Sequence, residues 1–120
     1  MARILLIEDN DSIRNLLREN LELEGHTVIE ARDGQEGLDL FRQGGADLVI
    51  TDILMPEKEG LAVLMELRTA QSPVNIIAIS GGGQNYLATA KLLGAAKVLV
   101  KPFPIAVLIA AIDELLPDDV

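Results

Sequence analysis

Five short β-rich runs alternate strictly with five helical stretches, and this alternation restricts the fold more than any other feature of the chain. The runs are Arg3–Ile7, Thr27–Ala31, Asp47–Thr51, Asn75–Ser80 and Lys97–Val100. Ile4–Ile7, Leu48–Ile50, Ile76–Ile79 and Val98–Val100 are almost continuously apolar, as strands covered on both faces are. Between the runs, apolar residues take helical spacing. Ile13, Leu16, Leu17 and Leu21 recur at i, i+3, i+4 and i+8, and Leu61, Leu64, Met65 and Arg68 follow a proline turn at Pro56. Asp33–Glu36 reads as a capping box, and Gly94 as a helix C-terminal cap. Ile105, Leu108, Ile109, Ile112, Leu115 and Leu116 form a last stripe between Pro104 and Pro117. Strands and helices in this order, joined by short loops, predict a parallel sheet with helices on both faces. No linker or repeat interrupts it, so residues 1–120 are expected to form one domain, with no room after Pro117 for a second.

In such sheets chemistry gathers at the C-terminal ends of the strands. Those ends carry Glu8 and Asp9, Asp52, Ser80 and Lys101. Each has an ordinary reading on its own. Glu8–Asp11 can cap a helix, Asp52 can cap a turn, Ser80 before three glycines suits a turn, and a lone lysine is usually solvated. Their joint placement on one rim says more. Three converging carboxylates repel, and an unpaired buried charge costs several kcal/mol. A hard divalent cation, Mg²⁺ or else Mn²⁺, resolves the conflict through oxygen ligands and leaves positions for phosphate oxygens. Lys101 would add a positive charge for a phosphoryl group, and Ser80 and the Gly81 N–H would add donors. Asp52 can then act as a nucleophile, since aspartyl carboxylates accept phosphoryl groups.

Composition narrows the alternatives. Hydrophobic residues make up 49% of the 120, enough for a core, and aromatics only 2%, which disfavours a stacked flavin. A net charge of −9 argues against direct nucleic-acid binding. The longest wholly apolar run, Ile105–Ile112, is far short of the ~18 residues of a membrane span. With no cysteine and no signal-peptide pattern, the expected location is cytoplasmic. A metal-dependent phosphatase would want a lid domain for which the chain has no room.

Five segments in this order resemble the receiver domain of response regulators in two-component signalling: ILLIEDND (4–11), ARDGQEGL (31–38), DLVITDILMPEKEG (47–60), IIAISGGG (76–83) and GAAKVLVKPF (94–103). The resemblance covers almost the whole chain. It implies an α/β, doubly wound, five-stranded parallel sheet of order 2-1-3-4-5 with five helices. It implies that Asp52 is the phosphoacceptor, that Asp9 ligates Mg²⁺ directly and Glu8 through water, and that the Leu54 backbone carbonyl is a further ligand. Ser80 and Lys101 match the hydroxyl and amine that bind the phosphoryl group, and Lys101-Pro102 matches a cis bond. The implied donor is a phosphohistidine on a sensor histidine kinase or phosphotransfer protein. The implied role is signalling rather than enzymatic turnover of a separate substrate, directed at a downstream protein target or an output domain.

The sequence departs from the family at Val98, where an aromatic residue usually stands. Without that ring, a degenerate receiver that signals by contact alone is the alternative function. Tyr86, the only tyrosine, is a weak substitute. Ala106, Val107, Ala110 and Ala111 fill the side of the last helix away from its core stripe, so helix four, strand five and helix five are expected to form a switch or homodimer face around Tyr86, Val98, Val107, Ala110 and Ala111. Leu54 offers nothing to orient a water, which predicts slow self-dephosphorylation. His26, with no second histidine or cysteine near, reads as a loop residue.

Overall fold

The computed structural model describes residues 2–53, 59–68, 74–81 and 84–116, with backbone alone for 59–61 and 84–87. The Leu54 carbonyl, the turn at Pro56, Gly82, the Tyr86 side chain and Pro117 lie outside the described residues. In chain order the elements are β1 (Arg3–Ile7), α1 (Asp11–Leu23), β2 (Thr27–Ala31), α2 (Gly34–Gly44), β3 (Leu48–Asp52), α3 (Glu59–Arg68), β4 (Asn75–Ser80), α4 (Gln84–Leu92), β5 (Lys97–Val100) and α5 (Ile105–Leu115). The sheet is wholly parallel with the order β2-β1-β3-β4-β5 expected from the resemblance.

Strand pleating divides the core in two. Ile4, Leu6, Leu48, Ile50, Ile77 and Ile79 face α1 and α5, where they meet Leu17, Leu21, Leu108 and Ile112. Leu5, Ile7, Val49, Ile76 and Ala78 face α2, α3 and α4, where they meet Leu38, Val63, Leu64, Leu67 and Ala90. Because β1 and β3 are buried on both faces, their apolar runs show no polar alternation.

The helix ends follow local chemistry. The Asn10 side chain accepts from the Ile13 N–H at 2.9 Å and starts α1. Asp33 accepts from the Glu36 N–H at 2.8 Å and starts α2, while Glu36 reaches back to the Arg32 N–H rather than to its cap residue. Gly94, at φ 104°, closes α4: its N–H donates to Lys91 O and that of Ala95 to Ala90 O. The His26 Nδ1 accepts from the Ala2 N–H in the loop before β2.

The expected inward faces hold at Leu17, Leu21, Leu64, Leu108 and Ile112, but single positions beside them differ. Leu16 belongs to the α1 apolar pattern but is exposed, because Arg14, Leu17 and Leu21 hold the buried positions. Met65 on α3 is also exposed, with Val63, Leu64 and Leu67 inward. Ala111, expected on the outer side of α5, is buried: Leu108, Ala111 and Ile112 make the inward i, i+3, i+4 row. Strand β3 begins one residue later than expected and includes Asp52, while Asp47 stands outside it, accepting from the Arg3 N–H.

Helix α2 lies so close to β1 that a Cβ at Gly37 would stand 2.7 Å from Ile7 Cγ1, and Ile7 is fully packed. Gly37→Ala gains ~1 kcal/mol of helix propensity but loses up to ~3 kcal/mol to overpacking. A net destabilisation of up to about 2 kcal/mol is expected in urea unfolding. A variant as stable as the parent would show that α2 can move off the sheet.

Candidate functional site

Register assembles the site. Ile7 pairs with Thr51, so Glu8 and Asp52 are the next residues on neighbouring strands. Asp52 pairs with Ile79, which puts Ser80 one step further out, and Ser80 pairs with Val100, which puts Lys101 a further step out. Glu8, Asp52 and Lys101 share the pleat parity of Leu6, Ile50 and Leu99, so all three fall on the α1–α5 side. At ~3.3 Å per residue Lys101 starts two steps beyond the acids, and its long stem reaches back to them. Backbone bonds extend the sheet here: Ile53 N–H donates to Ile79 O and Lys101 N–H to Ser80 O. The Lys101-Pro102 bond is cis.

The Lys101 ammonium sits between two carboxylates, 2.6 Å from Asp52 Oδ2 and 3.0 Å from Glu8 Oε1. Glu8 and Asp52 are only 1% and 5% exposed, Ser80 is fully buried, and Asp9 is exposed. One oxygen from each of Glu8, Asp9 and Asp52 lies within 4.8 Å of the others. Burial pushes the Glu8 carboxyl above its usual range; Lys101 and the Asn10 N–H oppose the rise, and the neighbouring acids Asp9 and Asp52 add to it. Burial lowers the Lys101 ammonium, but hydrogen bonds and charge from Asp52 and Glu8 outweigh it, and the net shift is upward. One ammonium therefore serves two buried acids beside a third. This all-oxygen donor set, short of positive charge, fits a hard divalent cation.

Five of the residues expected at the site, Glu8, Asp9, Asp52, Ser80 and Lys101, thus lie on one rim. Sequence reasoning missed Arg14. It is 9% exposed and donates to the Glu8 backbone carbonyl at 2.9 Å, to Asp11 at 2.6 Å and to Glu30 at 3.4 Å. Asp11, through its hydrogen bond, holds the guanidinium above its usual range despite burial. The signal was present: Arg14, Leu17 and Leu21 are spaced i, i+3, i+7, so the arginine occupies the core stripe.

Beside Lys101 an apolar groove of about 520 Å³ is lined by Ile13, Leu16, Pro102 and Phe103, among others. On the other side, Leu92, Val100 and Val107 are exposed large apolar residues near the expected partner face. Ala106 and Ala110 are exposed, Val98 is half-buried against the α2–α4 core, and Lys97 pairs with Glu114. Among the described residues no helix is long and apolar enough to cross a membrane.

Comparison with known proteins matches this geometry. The family profile described as the response regulator receiver domain matches residues 4–113. The transcriptional regulatory protein CpxR of Escherichia coli is 39% identical over 117 residues, covering 97% of this chain and 50% of CpxR. The chain spans about half the length of the curated relatives it matches. Among solved structures, a receiver domain protein of Clostridium thermocellum superposes with a TM-score of 0.89 at 31% identity, covering 96% of this chain and 94% of that one. The response regulator TrrA of Thermotoga maritima, determined in complex with Mg²⁺–BeF, gives 0.87 at 35% identity, covering 97% and 100%.

Proposed function

Because the chain belongs to the family of response regulator receiver domains, we propose that it accepts a phosphoryl group on Asp52 from a phosphohistidine of a sensor histidine kinase or phosphotransfer protein, and that residues 1–120 act as one switching unit. The observation that carries this is the Lys101 ammonium held between Asp52 and Glu8. It presents one cation beside a buried carboxylate whose neighbours can bind another. Glu8, Asp9, Asp52 and the Leu54 carbonyl would hold Mg²⁺ (or Mn²⁺). When bound, the ion supplies charge neutralisation for the acids and the incoming phosphoryl oxygens. The Mg²⁺–BeF complex of TrrA supports this assignment.

An Asp52 carboxylate oxygen forms the new P–O bond as the donor's P–N bond breaks, and the donor imidazole keeps the electron pair and takes up a proton. Lys101 transfers its hydrogen bond from the carboxylate to the phosphoryl group. The Ser80 hydroxyl and the Gly81 N–H donate to the remaining oxygens. No separate substrate is turned over; the chemistry is confined to phosphorylation and dephosphorylation of the chain itself. The groove beside Lys101 offers the donor protein an apolar seat next to the acceptor. Movement of Ser80 biases the α4–β5–α5 face, where exposed Leu92, Val100 and Val107 support contact with a downstream target, an output domain or a second copy. The gathering of all five rim residues favours a phosphorylatable receiver over a degenerate one.

Intact mass after incubation with acetyl phosphate and Mg²⁺ tests this. The expected result is one added phosphoryl group that requires the ion and does not appear in Asp52→Asn. Phosphorylation that persists in Asp52→Asn, or no gain with any donor, would overturn the assignment.

A further inference from the structure

We infer that Arg14 is a positioning residue for the cation site, acting through the Glu8–Asp9 peptide; this rests on the reading of that site as a divalent-cation pocket. The Glu8 backbone is held from both sides. Its N–H donates to Ala31 O at 3.0 Å, and its carbonyl accepts from Arg14 Nη1 at 2.9 Å. Its carboxylate also accepts from the Asn10 N–H at 3.1 Å, and Asn10 caps α1. Asp9, the exposed acid of the cluster, therefore lies between two anchored residues. Because a peptide unit is planar, fixing the Glu8 carbonyl also fixes the direction in which the chain enters Asp9.

The guanidinium is built into this place rather than resting on it. Its side chain is 11% exposed, and its remaining nitrogens donate to Asp11 on the first turn of α1 and Glu30 on β2. One rigid fork thus ties the end of β1, the start of α1 and the edge strand together. Arg18, one turn later, shares Glu30 at 3.5 Å, but it pairs with Glu19, Glu22 and Glu30 rather than with Glu8. It is the natural control.

The sign of the effect separates positioning from charge. Removing a cation near three acids should by Coulomb's law tighten binding of Mg²⁺. Releasing the Glu8–Asp9 peptide should weaken it, because the ligands must then be ordered when the ion binds. Mg²⁺ affinity is measured by calorimetric titration on the parent chain, Arg14→Met, Arg14→Lys and Arg18→Met, well below their melting temperatures and with folding checked by circular dichroism. Acetyl phosphate uptake is followed in parallel as a function of Mg²⁺. The expected result is about tenfold weaker binding in Arg14→Met, partial recovery in Arg14→Lys and parental affinity in Arg18→Met. The Mg²⁺ needed for half-maximal uptake should rise while the rate at saturating Mg²⁺ stays near parental.

Unchanged or tighter binding in folded Arg14→Met overturns the inference, as does equal weakening in Arg18→Met. If Arg14→Met does not fold, Arg14→Lys decides: parental affinity there overturns it, because one compact ammonium cannot span the acceptors that the guanidinium reaches from three separate nitrogens. Failure of the parent chain to bind Mg²⁺ overturns the cation site itself, and the Arg14 role with it.

Discussion

Lys101→Met is expected to bind Mg²⁺ about tenfold more tightly than the parent chain and to take up phosphoryl groups at least a hundredfold more slowly. Both effects come from one contact. The ammonium lies against Asp52 and Glu8, two of the acids expected to meet the ion, so lysine and metal compete for the same negative charge. Two unit charges 4 Å apart interact by about 4 kcal/mol at an effective dielectric of 20. The Lys101 side chain is 23% exposed, and solvent reduces this to the order of 1–2 kcal/mol, or about tenfold in affinity. The same substitution removes the amine that would hold the transferred group, and loss of one such contact typically costs 10²–10³ in rate. Calorimetric Mg²⁺ titration and a time course of intact mass read the two effects separately. Weaker Mg²⁺ binding in the variant would show that Lys101 organises the acids instead of competing for them.

Glu8→Gln is expected to raise the melting temperature of the metal-free protein yet lose most of the stabilisation that Mg²⁺ confers. The Glu8 carboxyl is held above its usual range chiefly by burial. A carboxyl whose pKa is higher folded than unfolded binds protons on folding. Stability is therefore lost as the pH rises from the ordinary glutamate value to the raised one, and the loss persists above it. At neutral pH a neutral glutamine escapes this cost. Below a pH of about 4 the two proteins should converge, because Glu8 is then protonated in both the folded and unfolded chains. An ion at a hundred times its Kd stabilises the parent by about 2.7 kcal/mol, roughly 10 °C for a domain of this size. The variant, lacking one of the acids around the ion, should gain only a small part of that. Melting curves across pH, with and without Mg²⁺, test both halves. A lower melting temperature for metal-free Glu8→Gln would mean that the bond to Lys101 outweighs the cost of burying the acid.

The parts of the site visible in the sequence lay at strand ends. Glu8, Asp9, Asp52, Ser80 and Lys101 each follow an apolar run, and a parallel sheet sends such ends to one rim whatever the details of packing. Apart from Asp47, which stands just before β3, the misplaced residues lie on helices. Apolar spacing puts Leu16 and Met65 inward and Ala111 outward, and the structure reverses all three, because a helix with more apolar residues than it can bury has more than one stripe to offer. Which one turns inward depends on the neighbouring element. Arg14 was missed for the related reason that a charged residue on a buried stripe has meaning only once its acceptors are known.

The five strands, their parallel arrangement and the rim that carries the acids were determined by the sequence alone, because runs of Val, Ile and Leu alternating with helical spacing have few other ways to bury both faces. Only the tertiary structure decided the pairing register that brings Glu8 level with Asp52, the reach of Lys101 back across two steps to both acids, and the grip of Arg14 on the Glu8 carbonyl. These contacts join residues as far as 93 positions apart, and their strength depends on distance and burial, which no local pattern of residues encodes.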